Sequence, residues 1–253
     1  VRLADKVSLI TGAAQGLGAA IAGRFREEGA FVFICDSQEE EGRRAAAEIN
    51  ALVDGPGGAE FLLLDVSEED SWKSVFKTVQ ARCGRLDILV NNAGVNIRKD
   101  IERISAEELD TMLAVNVRGP FLGIKHAVPL MRSSGGGCIL NMSSICGLVG
   151  HRYTNEAYTM TKGAITLLSK SIASRYAGEN IRCNSVHPST VDTPSVRSLF
   201  QDPRRKAERL GEVPLGRLAT ATDVANAFVF LASDEAAFIT GVAFPVDGGL
   251  TAS

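Results

Sequence analysis

Tyr158 and Lys162 stand four positions apart in a stretch with helical periodicity. On a helix that spacing puts both side chains on one face, one turn apart. A tyrosine hydroxyl holds its proton to about pH 10 and is a poor base at neutrality. A cation close by favours the phenolate and lowers that value. Such a pair can take the hydroxyl proton of a carbinol while its hydride leaves for an acceptor. Ser144 follows a strand-like run, and its hydroxyl can hydrogen-bond the same substrate oxygen and stabilise developing charge. Ser143 competes for that role. Tyr153 is a second aromatic hydroxyl, but position 157 is Ala, so it has no lysine one turn on and reads as pocket lining or surface.

A hydride acceptor needs a site. The segment Thr11-Gly12-Ala13-Ala14-Gln15-Gly16-Leu17-Gly18 joins an apolar run to a helical one. Glycines there let the backbone approach a pyrophosphate, and the helix N-terminus offers free N–H groups with partial positive charge. Gln15 and Leu17 fall within the same loop. Asp36 ends the next strand-like run, where a carboxylate can bond the ribose hydroxyls and repel a 2′-phosphate. Arg43 and Arg44 come later, on the following helix. The cofactor reading is therefore NAD(H), not NADP(H).

The elements that must position these residues alternate along the chain. Strands are expected near residues 7–11, 31–35, 60–64, 88–90, 138–142, 181–186 and 243–246. Helices are expected near 17–28, 39–52, 68–82, 106–131, 157–177 and 222–232. Near-continuous apolar strands between helices predict a parallel sheet covered on both faces, a doubly wound α/β domain of about seven strands spanning residues 1–253. The Gly/Pro-rich 54–58 reads as a turn. Pro120 lies four residues after Asn116 and has no N–H for its carbonyl, which must find another donor; an ordinary proline kink is the other reading. Residues 193–218, rich in Arg and Pro, lack a sheet pattern and are expected to form a substrate lid, with Val196, Leu199, Phe200 and Leu210 facing the pocket.

The composition excludes several classes. Of 253 residues, 45% are hydrophobic and 23% charged, which is globular composition. A net charge of −3 forces no basic face, so nucleic acid is not an expected partner. No apolar run reaches a membrane span, and the first residues lack a signal-peptide pattern, so a cytoplasmic protein is expected. Cys35, Cys83, Cys138, Cys146 and Cys183 are odd in number, have no C-x-x-C pair, and read as buried thiols. His126, His151 and His187 have no metal-ligand spacing, and no metal is expected.

Together these motifs resemble the short-chain dehydrogenase/reductase family over essentially the whole chain. They are the glycine loop, Asn91-Asn92-Ala93-Gly94, Asn116, Asn141-Met142-Ser143-Ser144, Tyr158-x-x-x-Lys162, Pro188 to Thr193, and Val246-Asp247-Gly248-Gly249. The resemblance implies a Rossmann fold and a catalytic set of Asn116, Ser144, Tyr158 and Lys162, with Ser144 preferred over Ser143 by register. It implies that Gly12, Gly16 and Gly18 cradle the cofactor, Asp65 and Val66 flank the adenine, and Asn92, Ala93 and Gly94 line the cleft. Pro188, Val191 and Thr193 would meet the nicotinamide, Lys162 its ribose, and the Asn116 carbonyl a water linked to Lys162. It also implies a homotetramer paired through the helices near 106–131 and 157–177.

Two departures concern the substrate side. Ser189 replaces the family's usual glycine, and the Ser144–Tyr158 loop spans fourteen residues, one more than in many relatives. The implied activity is NAD-dependent interconversion of a secondary alcohol and a ketone, with a sugar, polyol or hydroxysteroid as alternative substrates. An inactive NAD-binding sensor is the non-enzyme alternative. Enoyl reduction fits less well, since that branch spaces its Tyr and Lys more widely. Reduction of a 3-oxoacyl carrier, which generally uses NADPH, is opposed by Asp36.

Overall fold

The computed structural model describes residues 1–53, 57–193, 196–197 and 202–252, without the Arg205 side chain. Seven strands form one sheet: β1 (Val7–Thr11), β2 (Phe31–Asp36), β3 (Gly58–Leu63), β4 (Ile88–Asn91), β5 (Gly137–Met142), β6 (Ile181–Pro188) and β7 (Ala243–Val246). All pairings are parallel, in the order β3-β2-β1-β4-β5-β6-β7. The order reverses between β1 and β4, the switch point where such sheets open a crevice at their C-terminal ends.

The helices are α1 (Gly16–Glu27), α2 (Glu39–Leu52), α3 (Glu69–Cys83), α4 (Ala106–Leu113), α5 (Gly119–Ser133), α6 (Glu156–Tyr176), α7 (Pro203–Gly211) and α8 (Ala221–Ala232). Alternation within each strand feeds two cores. Ile10, Val32, Ile34 and Leu140 pack with α1, α2 and α8 on one face. Leu9, Phe33, Leu89 and Ile139 pack with α3, α5 and α6 on the other. Trp72 anchors the second face, fully buried, with its indole N–H donating to Val66 O at 2.9 Å. Among the described residues no helix is long and apolar enough to cross a membrane.

Three local expectations change. The single helix expected over 106–131 is two helices joined by a π-turn at Ala114–Arg118, with the Gly119 N–H donating to Ala114 O five residues back. Pro120 is the reason: without its N–H the regular ladder cannot run on, and the turn widens. Strand β6 runs two residues past the apolar stretch, because His187 and Pro188 still pair with Pro245 and Val246. Part of 193–218 is helical. Asp202 caps α7 by accepting from Arg204 N at 2.9 Å, and Pro203 opens it. An Asp-Pro start signal was present in the chain and outweighs the irregular composition. Residues 54–56 of the expected turn lie outside the described residues, as do Pro194, Leu199 and Phe200 of the expected lid.

Candidate active site

The C-terminal ends of β1, β2, β4, β5 and β6 meet at one edge of the sheet. After β1 the chain turns through Gly12 and enters α1 at Gly16, whose φ of 61° suits glycine and whose missing Cβ faces empty space. Gly18 packs so closely that a Cβ there would lie 2.1 Å from Gly12 O and 2.6 Å from Asn92 Nδ2. The loop is thus tied to the end of β4. Asn92 Nδ2 donates to Thr11 O at 2.9 Å and Gly12 O at 3.0 Å, and Thr11 Oγ1 accepts from Asn92 N and Ala93 N at 3.0 Å each. Open space ahead of a helix N-terminus, walled by Asn92 and Ala93, fits a dinucleotide pyrophosphate.

Asp36 lies at the end of β2 and is buried. Its Oδ2 accepts from Ala14 N at 3.0 Å and its Oδ1 from Gln38 N at 3.1 Å. The carboxylate is therefore fixed beside the loop rather than solvated. The two nearest arginines in sequence are otherwise engaged: Arg43 pairs with Glu39 and Arg44 with Glu48. Val66 is buried, whereas Asp65 is exposed and accepts from Ser67 N at 2.9 Å and Ser67 Oγ at 2.7 Å.

Helix α6 carries Tyr158 and Lys162. Asn155 caps it by accepting from Tyr158 N at 2.8 Å, and its Nδ2 donates to Asn96 Oδ1 at 2.7 Å. Tyr158 lies in the first turn, facing the end of β5. Burial pushes its hydroxyl well above the ordinary tyrosine range, with the Arg98 charge and the neighbouring Ser144 hydroxyl working the other way. Lys162 is 3% exposed; its Nζ donates to Met142 O at 2.8 Å and lies 5.4 Å from the Tyr158 ring centre. Burial pushes the ammonium down to about 8. The ammonium bonds the end of β5, and burial is the largest influence on both groups.

The two serines separate by partner. Ser143 Oγ donates to Lys162 O at 2.9 Å, so its hydroxyl fastens α6 to β5. Ser144 lines the cavity, and its Oγ accepts only weakly from Cys146 N, at 3.3 Å. Asn116 is 1% exposed, and its side chain makes a two-bond ring with Val95, accepting from N and donating to O at 2.8 Å each. Its Nδ2 also donates to Thr161 Oγ1 at 3.1 Å. The amide therefore joins the π-turn, the β4 loop and α6. A Cβ on Gly94 would fall 3.3 Å from Asn116 Oδ1 and 3.6 Å from Lys162 Nζ, which puts all three side by side.

A cavity of about 780 Å3 opens above this group. Pro188, Val191 and Thr193 form one wall, and Val191 also pairs with Ala219. The outer rim is polar and joins α7 to the loop before Tyr158. Arg209 donates to His151 Nε2 at 3.2 Å, Glu212 Oε2 at 3.2 Å and Tyr153 O at 3.1 Å. Its guanidinium lies 4.3 Å from the Tyr153 ring centre, and that of Arg152 lies 4.8 Å away. Of the apolar residues expected to face the pocket, Val196 does; from α7 it is Glu208 and Arg209, not Leu210, that reach it. A charged side chain can face the pocket here because the rim supplies its partners.

The sequence reading missed Thr11 and Thr161. Thr11 directly precedes the loop glycines, and Thr161 lies one turn after Tyr158 on the same helix, so position alone could have flagged both.

A seven-stranded parallel sheet with a glycine loop at its switch point and a Ser–Tyr–Lys group above β5 defines a Rossmann-type oxidoreductase. The model of a family described as Enoyl-(Acyl carrier protein) reductase matches residues 12–251, and the chain belongs to the short-chain dehydrogenase/reductase family. It is 43% identical over 252 residues to a cyclopentanol dehydrogenase of Comamonas testosteroni, covering 100% of this chain and 99% of the relative. It is 39% identical over 254 residues to an NADP-dependent (R)-specific alcohol dehydrogenase of Lentilactobacillus kefiri, covering 99% and 98%. The crystal structure of gox2181 superposes with a TM-score of 0.95 at 29% identity, covering 100% and 98%. Relatives of the chain act on CH–OH groups, and the family uses a nicotinamide nucleotide.

Proposed function

We propose that the chain is an NAD(H)-dependent dehydrogenase interconverting a secondary alcohol and its ketone, with Tyr158 as the proton acceptor. The observation that carries this reading is that Tyr158 and Ser144 line one cavity, with the buried Lys162 ammonium 5.4 Å from the Tyr158 ring centre. Bound NAD+ would accept the hydride, so that alcohol and NAD+ give ketone, NADH and one proton. Tyr158 takes the hydroxyl proton as the C–H bond breaks, and Ser144 holds the same oxygen. Lys162 supplies the positive charge that favours the phenolate in the closed, water-poor site. The Asn116 main chain, at a π-turn beside Lys162, is the expected outlet for that proton.

Gly12, Gln15, Gly16, Leu17 and Gly18 would hold the pyrophosphate end. Asp65 and Val66 would hold the adenine, Asn92, Ala93 and Gly94 the middle, and Pro188, Val191 and Thr193 the nicotinamide. Asp36 supports NAD over NADP, because a 2′-phosphate would meet a buried, fixed carboxylate. The one-turn Tyr–Lys spacing favours carbonyl over enoyl chemistry.

The cyclopentanol-dehydrogenase relative makes a cyclic secondary alcohol the first substrate to try. Initial rates with cyclopentanol, ring-substituted cyclohexanols and polyols, each with NAD and NADP, test the reading. Turnover of at least one with NAD preferred is expected. Reduction of an enoyl thioester in place of any alcohol oxidation would overturn it.

A further inference from the structure

The end of β6 holds a buried imidazole that the reaction scheme does not use. His187 is 0% exposed. Its Nδ1 lies 2.7 Å from Ser144 O, and its Nε2 lies 2.8 Å from Ser185 Oγ. A carbonyl oxygen only accepts, so Nδ1 carries the proton, and Ser185 then donates to Nε2. Ser144 O therefore selects the tautomer, and the Ser185 hydroxyl, able to donate or accept, satisfies and anchors the second ring nitrogen.

The neighbouring backbone explains why a side chain is needed here. The last rung between β5 and β6 runs from Ser143 N to Val186 O at 2.8 Å. The next would need an N–H on Pro188, which has none. The N–H that Pro188 lacks would have served Ser143 O; beyond that point the chain carrying Ser144 leaves the sheet, and His187 supplies the donor from β6 that reaches Ser144 O, one residue further on. Ser144 O also accepts from Gly147 N at 2.9 Å, so both its lone pairs are used and the peptide cannot tilt. The Ser144 hydroxyl, held only by a 3.3 Å bond from Cys146 N, takes its direction from that peptide.

We propose that His187 is a positioning residue for the reaction, its Nδ1–H fixing the Ser144 main chain so that the Ser144 hydroxyl meets the substrate oxygen, with Ser185 anchoring the far side of the imidazole ring. This rests on the dehydrogenase reading given above. His187 is no proton carrier in this arrangement, because both ring nitrogens are taken and neither faces the cavity. A misplacement of even ~1 Å at a reacting group can cost about 100-fold in rate.

The test compares wild type with His187→Leu, His187→Asn and Ser185→Ala, using kcat and KM for cyclopentanol with NAD, and NADH affinity by fluorescence titration. Asparagine places its Nδ2 close to where the imidazole carries Nδ1. Expected results are a kcat loss of about 10–100-fold for His187→Leu with NADH affinity within about twofold, and recovery of most of that loss in His187→Asn. Ser185→Ala should lower kcat by a smaller factor, because the imidazole then loses its anchor at Nε2 but keeps its bond to Ser144 O.

Nitrogen-15 NMR of the wild-type imidazole should show the Nδ1–H form. This measurement needs neither turnover nor a folded His187→Leu variant. An Nε2–H tautomer in wild type, an undiminished kcat in a folded His187→Leu, or a His187→Asn no faster than His187→Leu would each overturn the proposal. If the dehydrogenase reading itself is wrong, wild type turns over no alcohol, while the tautomer measurement still reports on the hydrogen bond.

Discussion

Burial moves Tyr158 and Lys162 in opposite directions, the phenol up and the ammonium down to about 8. Burial alone thus disfavours the phenolate and the ammonium alike. Because Tyr158 must lose a proton, oxidative kcat/KM is expected to rise toward alkaline pH, and a flat profile would count against the assignment. Tyr158→Phe should cut turnover by about 1,000-fold or more while NADH affinity stays near wild type, since only the proton acceptor is removed. Lysine linkage has the opposite sign to tyrosine linkage. The Lys162 value lies below its unfolded value of 10.5, so the folded chain binds fewer protons and its buried charge destabilises below about 8. Lys162→Met should therefore gain roughly 1–3 kcal/mol in urea unfolding at pH 7 while losing activity; a less stable variant would show that the bond to Met142 O outweighs burial. Asp36→Ala should narrow the NAD-over-NADP preference by about tenfold or more, as read from the two kcat/KM values. Tyr158, Lys162 and Asp36 were legible because their types and spacing imply chemistry on one element. His187 was not, because its partner, Ser144 O, follows a strand distant in sequence.

At the scale of elements, the periodic segments read well and the exceptions had stated causes. Helix α2 falls on its expected residues, Glu39–Leu52, since its apolar positions keep one period. The segment over 106–131 kept an apolar stripe through Pro120, so pattern alone hid the π-turn. Helix α7 was missed because its exposed, basic residues carry no core-facing pattern, although its Asp-Pro start was visible. That helix is clasped to the loop before Tyr158 by Arg209, which reaches Tyr153, His151 and Glu212. A clasp of exposed and half-buried groups opens at low cost. Hydrogen exchange across 203–211 is expected to slow when NADH and a competitive inhibitor are bound, and Arg209→Ala should raise KM for alcohol by several-fold with little change in NADH affinity. Identical exchange with and without ligands would remove the lid from the scheme.

Across the whole molecule, the sheet uses one edge for chemistry and leaves apolar surface on α5 and α6. Phe121 is 54% exposed, Met160 49% and Leu167 69%. Exposed apolar side chains on these helices are what a subunit interface would cover, and further copies of the chain are the cover proposed. Light scattering at micromolar concentration should give a mass near four times 26.9 kDa; a monomer would contradict it. The bridge between Val191 and Ala219 bears on a different property. Asp192 N also donates to Ala219 O at 2.8 Å, so the excursion beginning after Val191 returns to its starting point before α8 begins. Its two ends are fastened to each other, and the sheet order does not depend on what lies between them. The excursion is consequently a replaceable cassette. A segment from a relative, joined after Thr193 and before Ala219, is expected to change which alcohol is accepted while the residues proposed to hold the dinucleotide are kept.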